Sequence, residues 1–345
     1  MTSYIISLNF NPGHISHLIA SYKQFEELGY ESYYLVDERF RPYLPKDSRI
    51  LNPSISFPAP TIAIFTFPSQ NNLKYLWWMK HKGTKICYIF HEPLAPMRIY
   101  KKAGFSWRYL ARLWVVDFIS ALTVKKSDAV LLPSRKAIDY YEKNPRYKNK
   151  HYHYLPLMYD DERGKSYTAI QRVYFSYIGT IAADHSFNEY VSFVEWAIIN
   201  NALPDLKFLI ATKSEFYPGP ILGESERVTI HQGRPLTNEE INSCYLSSVV
   251  VWNAYERTTQ SGVLAKSFMF GTPVIVLKKN VSEFMIPGKE VEVIDDNRSV
   301  EQIEEAVARI ISQFEPYSTA CRERFIKTFY YRNHNSQFKE ILRSI

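Results

Sequence analysis

The sequence predicts an α/β protein of two doubly wound units, each a parallel sheet with helices on both faces. Three observations carry this. Short apolar runs alternate with amphipathic segments along the whole chain, the pattern of strand–helix–strand units. At 345 residues the chain is too long for one compact core and suits two domains. Charge is unevenly spread: residues 1–150 hold 22 Lys and Arg against 11 Asp and Glu, and residues 151–345 hold 20 against 24. Two regions with different surroundings are therefore joined. With 46% hydrophobic and 22% charged residues, a disordered chain is excluded.

Residues 4–8 read as a buried strand, followed by a turn over 9–13. Ile15, Leu18, Ile19, Tyr22, Phe25 and Leu28 then keep helical spacing up to Gly29. Residues 32–36, 61–66, 86–90 and 129–132 are the next strands. The stretch 143–171 is polar, tyrosine-rich and first basic, then acidic, and reads as the crossing between domains. A second set of strands follows at 173–178, 206–211, 228–230, 249–252 and 273–277. Thr237 and Glu240 have the spacing of a capping box. Ile303, Ala306, Val307, Ile310 and Ile311 mark an amphipathic helix, and residues 317–345 are helix-like. Open parallel sheets bind ligands at the carboxyl ends of their strands, so a cleft holding two substrates is expected between the domains.

Several classes are set aside. The start has neither a basic region nor a long apolar one, so no signal peptide is expected. The longest apolar stretch, 113–124, is shorter than a bilayer span and is broken by Asp117 and Ser120. Cys87, Cys244 and Cys321 suit reduced thiols, pointing to a cytoplasmic location. Asp160, Asp161 and Glu162 have the composition of a metal-chelating motif but follow no strand, and no His or Cys pair has zinc spacing, so no metal is expected. His151 and His153 read as part of a solvated linker. The turn at 11–14 is not G-x-G-x-x-G, which disfavours a dinucleotide site.

The most informative segment is QSGVLAKSFMFGTPVI, residues 260–275. A strand ends near Trp252, a loop runs to Ser261, and a helix starts near Gly262 with small residues that let a ligand approach its free amides. Those amides and the helix dipole suit a phosphate. This segment resembles the donor-binding element of retaining GT-B-fold glycosyltransferases of the family-4 type. Residues 174–179, 206–211, 228–241 and 127–134 are similar to further motifs of that family in order and spacing. The resemblance covers most of the chain and is strongest over 172–312.

It implies a GT-B fold of two Rossmann-like α/β/α domains facing across a cleft. Residues 1–155 would bind the acceptor, 156–171 link, 172–315 bind a nucleotide-diphosphate-sugar, and 316–345 return to the first domain. It implies a metal-independent, cofactor-free hexosyl transfer to a saccharide or lipid-linked saccharide. The donor would meet Gly179, Thr180, Lys213, Arg234, Glu256, Arg257, Gln260, Ser261, Gly262, Val263, Leu264 and Lys266. Two family glutamates fall at Thr258 and Lys266, and a family Arg–Lys pair at Thr180 and His185. Lys213, Arg234, Arg257 and Lys266 are the candidate replacement cations, and Glu256 the candidate sugar contact. His91 and Glu92, after the strand 86–90, match the family's catalytic-edge pair; His91 would orient the donor sugar. Gly13, His14 and His17 would approach the acceptor. A GT-B epimerase and a catalytically silent sugar-nucleotide binder are the alternatives.

Residues 74–150 carry 17 basic residues against five acidic ones, interleaved with Trp, Tyr and Leu. Such a surface rests on anionic lipid head groups, or stacks and pairs with nucleic acid. Membrane docking at the inner face of the plasma membrane is the preferred reading, with no nucleic acid as partner.

Overall fold

The computed structural model describes residues 1–52, 56–102, 104–147, 150–163 and 170–345. The chain divides into two compact units, Met1–Asp160 with Phe329–Ile345, and Asp161–Thr328. Residues 164–169 of the expected linker lie outside the described residues, as do 103 and 148–149 of the basic stretch.

The first unit is a six-stranded parallel sheet: β1 (Thr2–Ser7), β2 (Glu31–Val36), β3 (Ile62–Phe65), β4 (Lys85–Ile89), β5 (Ala129–Leu132) and β6 (Tyr152–Tyr154). The spatial order is β2-β1-β3-β4-β5-β6, with Ile5 paired to Tyr34 on one side and to Ile64 on the other. Its helices are α1 (Ile15–Glu27), α2 (Gln70–His81), α3 (Met97–Lys102), α4 (Trp107–Lys126) and α5 (Arg135–Lys143). The strands read as apolar runs because both faces are covered: Ile5, Ile6, Ala63, Phe65, Ile86, Tyr88 and Val130 are fully buried. The side chains of Ser69, Ser106 and Ser134 each accept an amide at the start of α2, α4 and α5.

The second unit is built likewise from β7 (Tyr174–Ile178), β8 (Lys207–Ala211), β9 (Val228–His231), β10 (Ser248–Trp252), β11 (Val274–Leu277) and β12 (Val291–Ile294). Its order is β12-β11-β10-β7-β8-β9, again all parallel. The helices are α6 (Phe187–Ile199), α7 (Gly219–Gly223), α8 (Asn238–Ser247), α9 (Gly262–Met269), α10 (Val300–Ser312) and α11 (Phe314–Thr328). The capping box at the start of α8 forms as expected: Thr237 Oγ1 accepts from the Glu240 amide, and the Glu240 carboxylate accepts from the Thr237 amide. Gly271, after α9, takes a φ of +67°; a Cβ there would lie 2.7 Å from Ser318 Oγ and 3.1 Å from the Ser318 carbonyl. Only glycine allows α11 to approach so closely. The Arg172 guanidinium donates to the carbonyls of Ser248 (2.8 Å), Phe270 (2.5 Å) and Tyr245 (3.3 Å), tying the start of β7 to the end of α9.

Beyond α11 the chain rejoins the first unit. Phe329 accepts from the Tyr159 amide, and Tyr159 accepts from the Tyr331 amide. The last helix, α12 (Asn335–Arg343), lies on α1: Phe338 meets Phe25 edge-on, and Asn335 bonds Gln24 and Glu27. The expected return segment 316–345 thus divides, its first part staying in α11 with the second unit.

Candidate active site

In an open parallel sheet, the loops that part company where the strand order reverses leave a crevice between them. In the first unit that point lies between β1 and β3. The loop after β1 leads into a short three-ten turn, Pro12–His14, which places His14 at its end and His17 in the first turn of α1. The segment after β4 brings His91 beside them. The three imidazoles form a triangle with ring centroids 5.9, 6.1 and 6.3 Å apart. Thr66, Ile89 and Leu157 complete the lining of the recess they share.

The tautomers follow from the partners. His17 Nδ1 faces the Met158 carbonyl at 3.1 Å, which can only accept, so Nδ1 carries the proton; Nε2 then accepts from the Tyr159 hydroxyl at 3.3 Å. The Gly13 amide donates to Asn11 Oδ1, which turns Asn11 Nδ2 toward His14 Nε2 at 3.3 Å. His14 Nδ1–H is left buried and without a hydrogen-bond partner. Burial first, and then the neighbouring imidazoles, push His14 well below the usual histidine range. Burial and His91 push His17 down to about 3. Both are neutral at physiological pH, and of the two only His14 keeps a ring nitrogen without a partner. Glu92 is exposed.

In the second unit the order reverses between β7 and β10, and α9 opens there. Gly179, at the end of β7, has a φ of +152°; a Cβ on it would lie 3.7 Å from Tyr255 Oη and 3.9 Å from Val263 Cγ2. The bare backbone of Gly179 therefore sits against the first turn of α9. Ser261 caps that helix, accepting from the Leu264 amide and donating to Asn253 Oδ1 at 2.9 Å. The amides of Gly262 and Val263 begin the helix, while the Leu264 side chain turns into the core. Gln260 is buried beside Ser261. Thr180 is exposed, and its carbonyl accepts from Tyr177 Oη and His185 Nδ1.

The candidate cations separate in the structure. Arg257 is buried with Asp184, 3.7 Å away. Lys266 is tied elsewhere: its ammonium donates to Glu162 (3.1 Å), Asn238 (2.8 Å) and Asn242 (2.6 Å), which uses all three protons. Burial alone would raise the Glu162 carboxyl, but Lys266 and the two amides hold it below the usual range. Lys266 is thus engaged as the ion-pair partner of Glu162. Arg234 is paired with Glu240 on the α8 cap (2.9 Å), and Lys213 is exposed after β8. Glu256 is held by Lys279 and by Asn297 Nδ2 at 3.2 Å.

Sequence reasoning missed the ring pair at this point. Tyr255 stacks on His185 at 4.4 Å, and its buried hydroxyl finds no partner. Both follow strand ends, but only the strand order reveals that β7 and β10 are neighbours. Asp160, Asp161 and Glu162 each take a different cation, namely Lys23, Arg322 and Lys266. Among the described residues no group of three or more His, Cys, Asp or Glu is arranged to hold a metal ion.

No protein-family model matches the sequence, and no curated protein matches it. Among solved structures, the chain is similar to Anabaena HepE, crystallised with UDP and glucose, with a TM-score of 0.72, 12% identity and 100% of both chains covered. It is similar to sucrose-phosphate synthase from Thermosynechococcus elongatus, with a TM-score of 0.68, 13% identity and 99% of this chain and 98% of that one covered. A Listeria monocytogenes protein assigned as a UDP-N-acetylglucosamine 2-epimerase is similar at a TM-score of 0.63, with 12% identity and 99% and 96% covered. Two six-stranded parallel units with these neighbours make the fold GT-B.

Proposed function

We propose that the protein is a retaining glycosyltransferase of the family-4 type, moving a hexosyl group from a nucleotide-diphosphate-sugar to a saccharide or lipid-linked saccharide. The observation that carries this is the approach of Gly179 to the first turn of α9. Bare backbone and helix amides at a reversal point form a cradle for a diphosphate. Arg257, buried beside Asp184 two residues beyond Tyr255, is the candidate cation for the diphosphate. UDP bound to the similar HepE supports uridine as the first nucleoside to test.

The reaction needs no metal, since amides and Arg257 stabilise the leaving diphosphate. The departing phosphate oxygen takes the acceptor proton in a front-face displacement. The neutral His14 and the neighbouring His91 orient sugar hydroxyls by hydrogen bonds, and His17, held by Met158 and Tyr159, fixes the wall beside them. The basic surface over 74–150 meets an anionic membrane face on the cytoplasmic side. A thermal-shift screen with UDP, GDP, ADP and CMP tests the donor reading, because a ligand of the folded state raises the melting temperature. A shift with UDP is expected; none with any nucleotide overturns it. EDTA should leave transfer unchanged, and loss of transfer restored by Mn²⁺ would refute the mechanism. The Listeria neighbour favours epimerisation as the second reading, which product analysis without an acceptor separates.

A further inference from the structure

Helix α4 is turned inside out. Its buried side carries Asp117, Ser120 and Thr123 beside Leu110 and Val124. Its solvent side carries Trp107, Trp114, Val115 and Phe118, which are 74%, 53%, 53% and 50% exposed. The polar side is satisfied. Asp117 accepts from the Tyr147 hydroxyl, from Arg146 at 2.6 Å and from Asn144 at 3.3 Å. Ser120 and Thr123 donate back to the carbonyls of Val116 and Ile119. This network fixes the rotation of the helix, so the apolar residues point outward by construction.

Positions 107, 111, 114, 115 and 118 make one stripe along the helix. Trp77 of α2, 54% exposed, is linked to α4 by the Lys126 ammonium 4.5 Å from its ring centre. Lys101 lies 4.6 Å from the Trp107 ring and Arg146 4.7 Å from the Trp114 ring. Arg98, Arg108, Arg112 and Lys125 are exposed around the stripe. Across residues 97–126 there are seven Lys and Arg and one acid, and that acid is the buried Asp117.

We propose that this face of α4 docks in the plane of an anionic bilayer, with Trp107, Trp114, Val115 and Phe118 in the boundary between head groups and acyl chains and the flanking cations on lipid phosphates. Charge selects this occupant. A second copy of the chain would set one basic face against another. Val115 and Ala111, within the stripe, offer a nucleic acid neither a ring to stack on nor a charge, whereas they suit acyl chains. The inference sharpens the membrane reading to one helix face and does not depend on the nucleotide, so failure of UDP binding and failure of lipid binding are read separately.

The test is sedimentation of the full chain with vesicles of phosphatidylglycerol and phosphatidylcholine in equal parts, and with phosphatidylcholine alone. Pelleting with the anionic vesicles only, weakened by salt, is expected. The Trp107→Ser/Trp114→Ser/Phe118→Ser variant should lose that binding by about tenfold or more at an unchanged melting temperature, since these side chains are exposed. Arg108→Glu/Arg112→Glu should lose about fivefold or more for each position. No pelleting, or equal pelleting of the triple variant, overturns the proposal. So does self-association, or RNA binding without lipid binding, that the triple variant abolishes.

Discussion

At the reversal point of the first sheet three imidazoles meet, and burial keeps at least His14 and His17 uncharged. At that of the second, Arg257 is set against Asp184, and one helix turn away Lys266 is set against Glu162. One unit manages ionisable groups by removing the charge, the other by pairing it. The two strategies fail differently. A neutralised group is vulnerable to acid, whereas a paired group is vulnerable to loss of its partner.

The largest expected effect breaks the pairing. Lys266→Ala strands the Glu162 carboxylate in a buried site and should cost about 3–5 kcal/mol in urea unfolding. Lys266→Met with Glu162→Leu should recover most of it, and a double variant as unstable as the single one would break the contrast. Next comes acid. The unfolded imidazoles take up protons below about pH 6.5 and the folded ones do not, so stability falls as pH drops through that value, until the folded pKa of about 3 for His17 is reached. From pH 6.5 to 5 His17 should remove roughly 2 kcal/mol, and His14 acts in the same direction. His14→Asn/His17→Asn should flatten that slope; a slope that persists would place the acid sensitivity elsewhere. Gly271→Ala follows, at about 1–3 kcal/mol, through its positive φ and the Ser318 contact. The smallest is Arg234→Ala, which removes an exposed pair on the α8 cap and should leave both melting temperature and UDP shift unchanged.

Ten of the twelve strands among the described residues are legible in the sequence, because a strand buried on both faces must be an unbroken apolar run. β6 reads YHY at an edge and β12 reads VEVI, too short and too polar to stand out. The site is legible in part for a related reason. Residues that act through backbone, such as Gly179 and the start of α9, carry a local signature of small residues after a strand. Lys266 does not: as the fifth residue of α9 it carries no mark of its partner, and only the location of Glu162 reveals the ion pair. The outward face of α4 is legible as composition, not as orientation, since Asp117 shows in the sequence only as a break in the apolar stretch and its partners Tyr147 and Arg146 are needed to turn it inward.

The return of the chain to the first unit has a consequence for biosynthesis. Domains emerging from a ribosome ordinarily mature in the order they are made. Here the second unit, Asp161–Thr328, is one unbroken stretch, while the first unit waits for Phe329–Ile345. Until that segment is released, the side of α1 that receives Phe338 and Asn335 is uncovered, and Tyr159 lacks its pairing with Phe329 and Tyr331. The unit translated first is completed last.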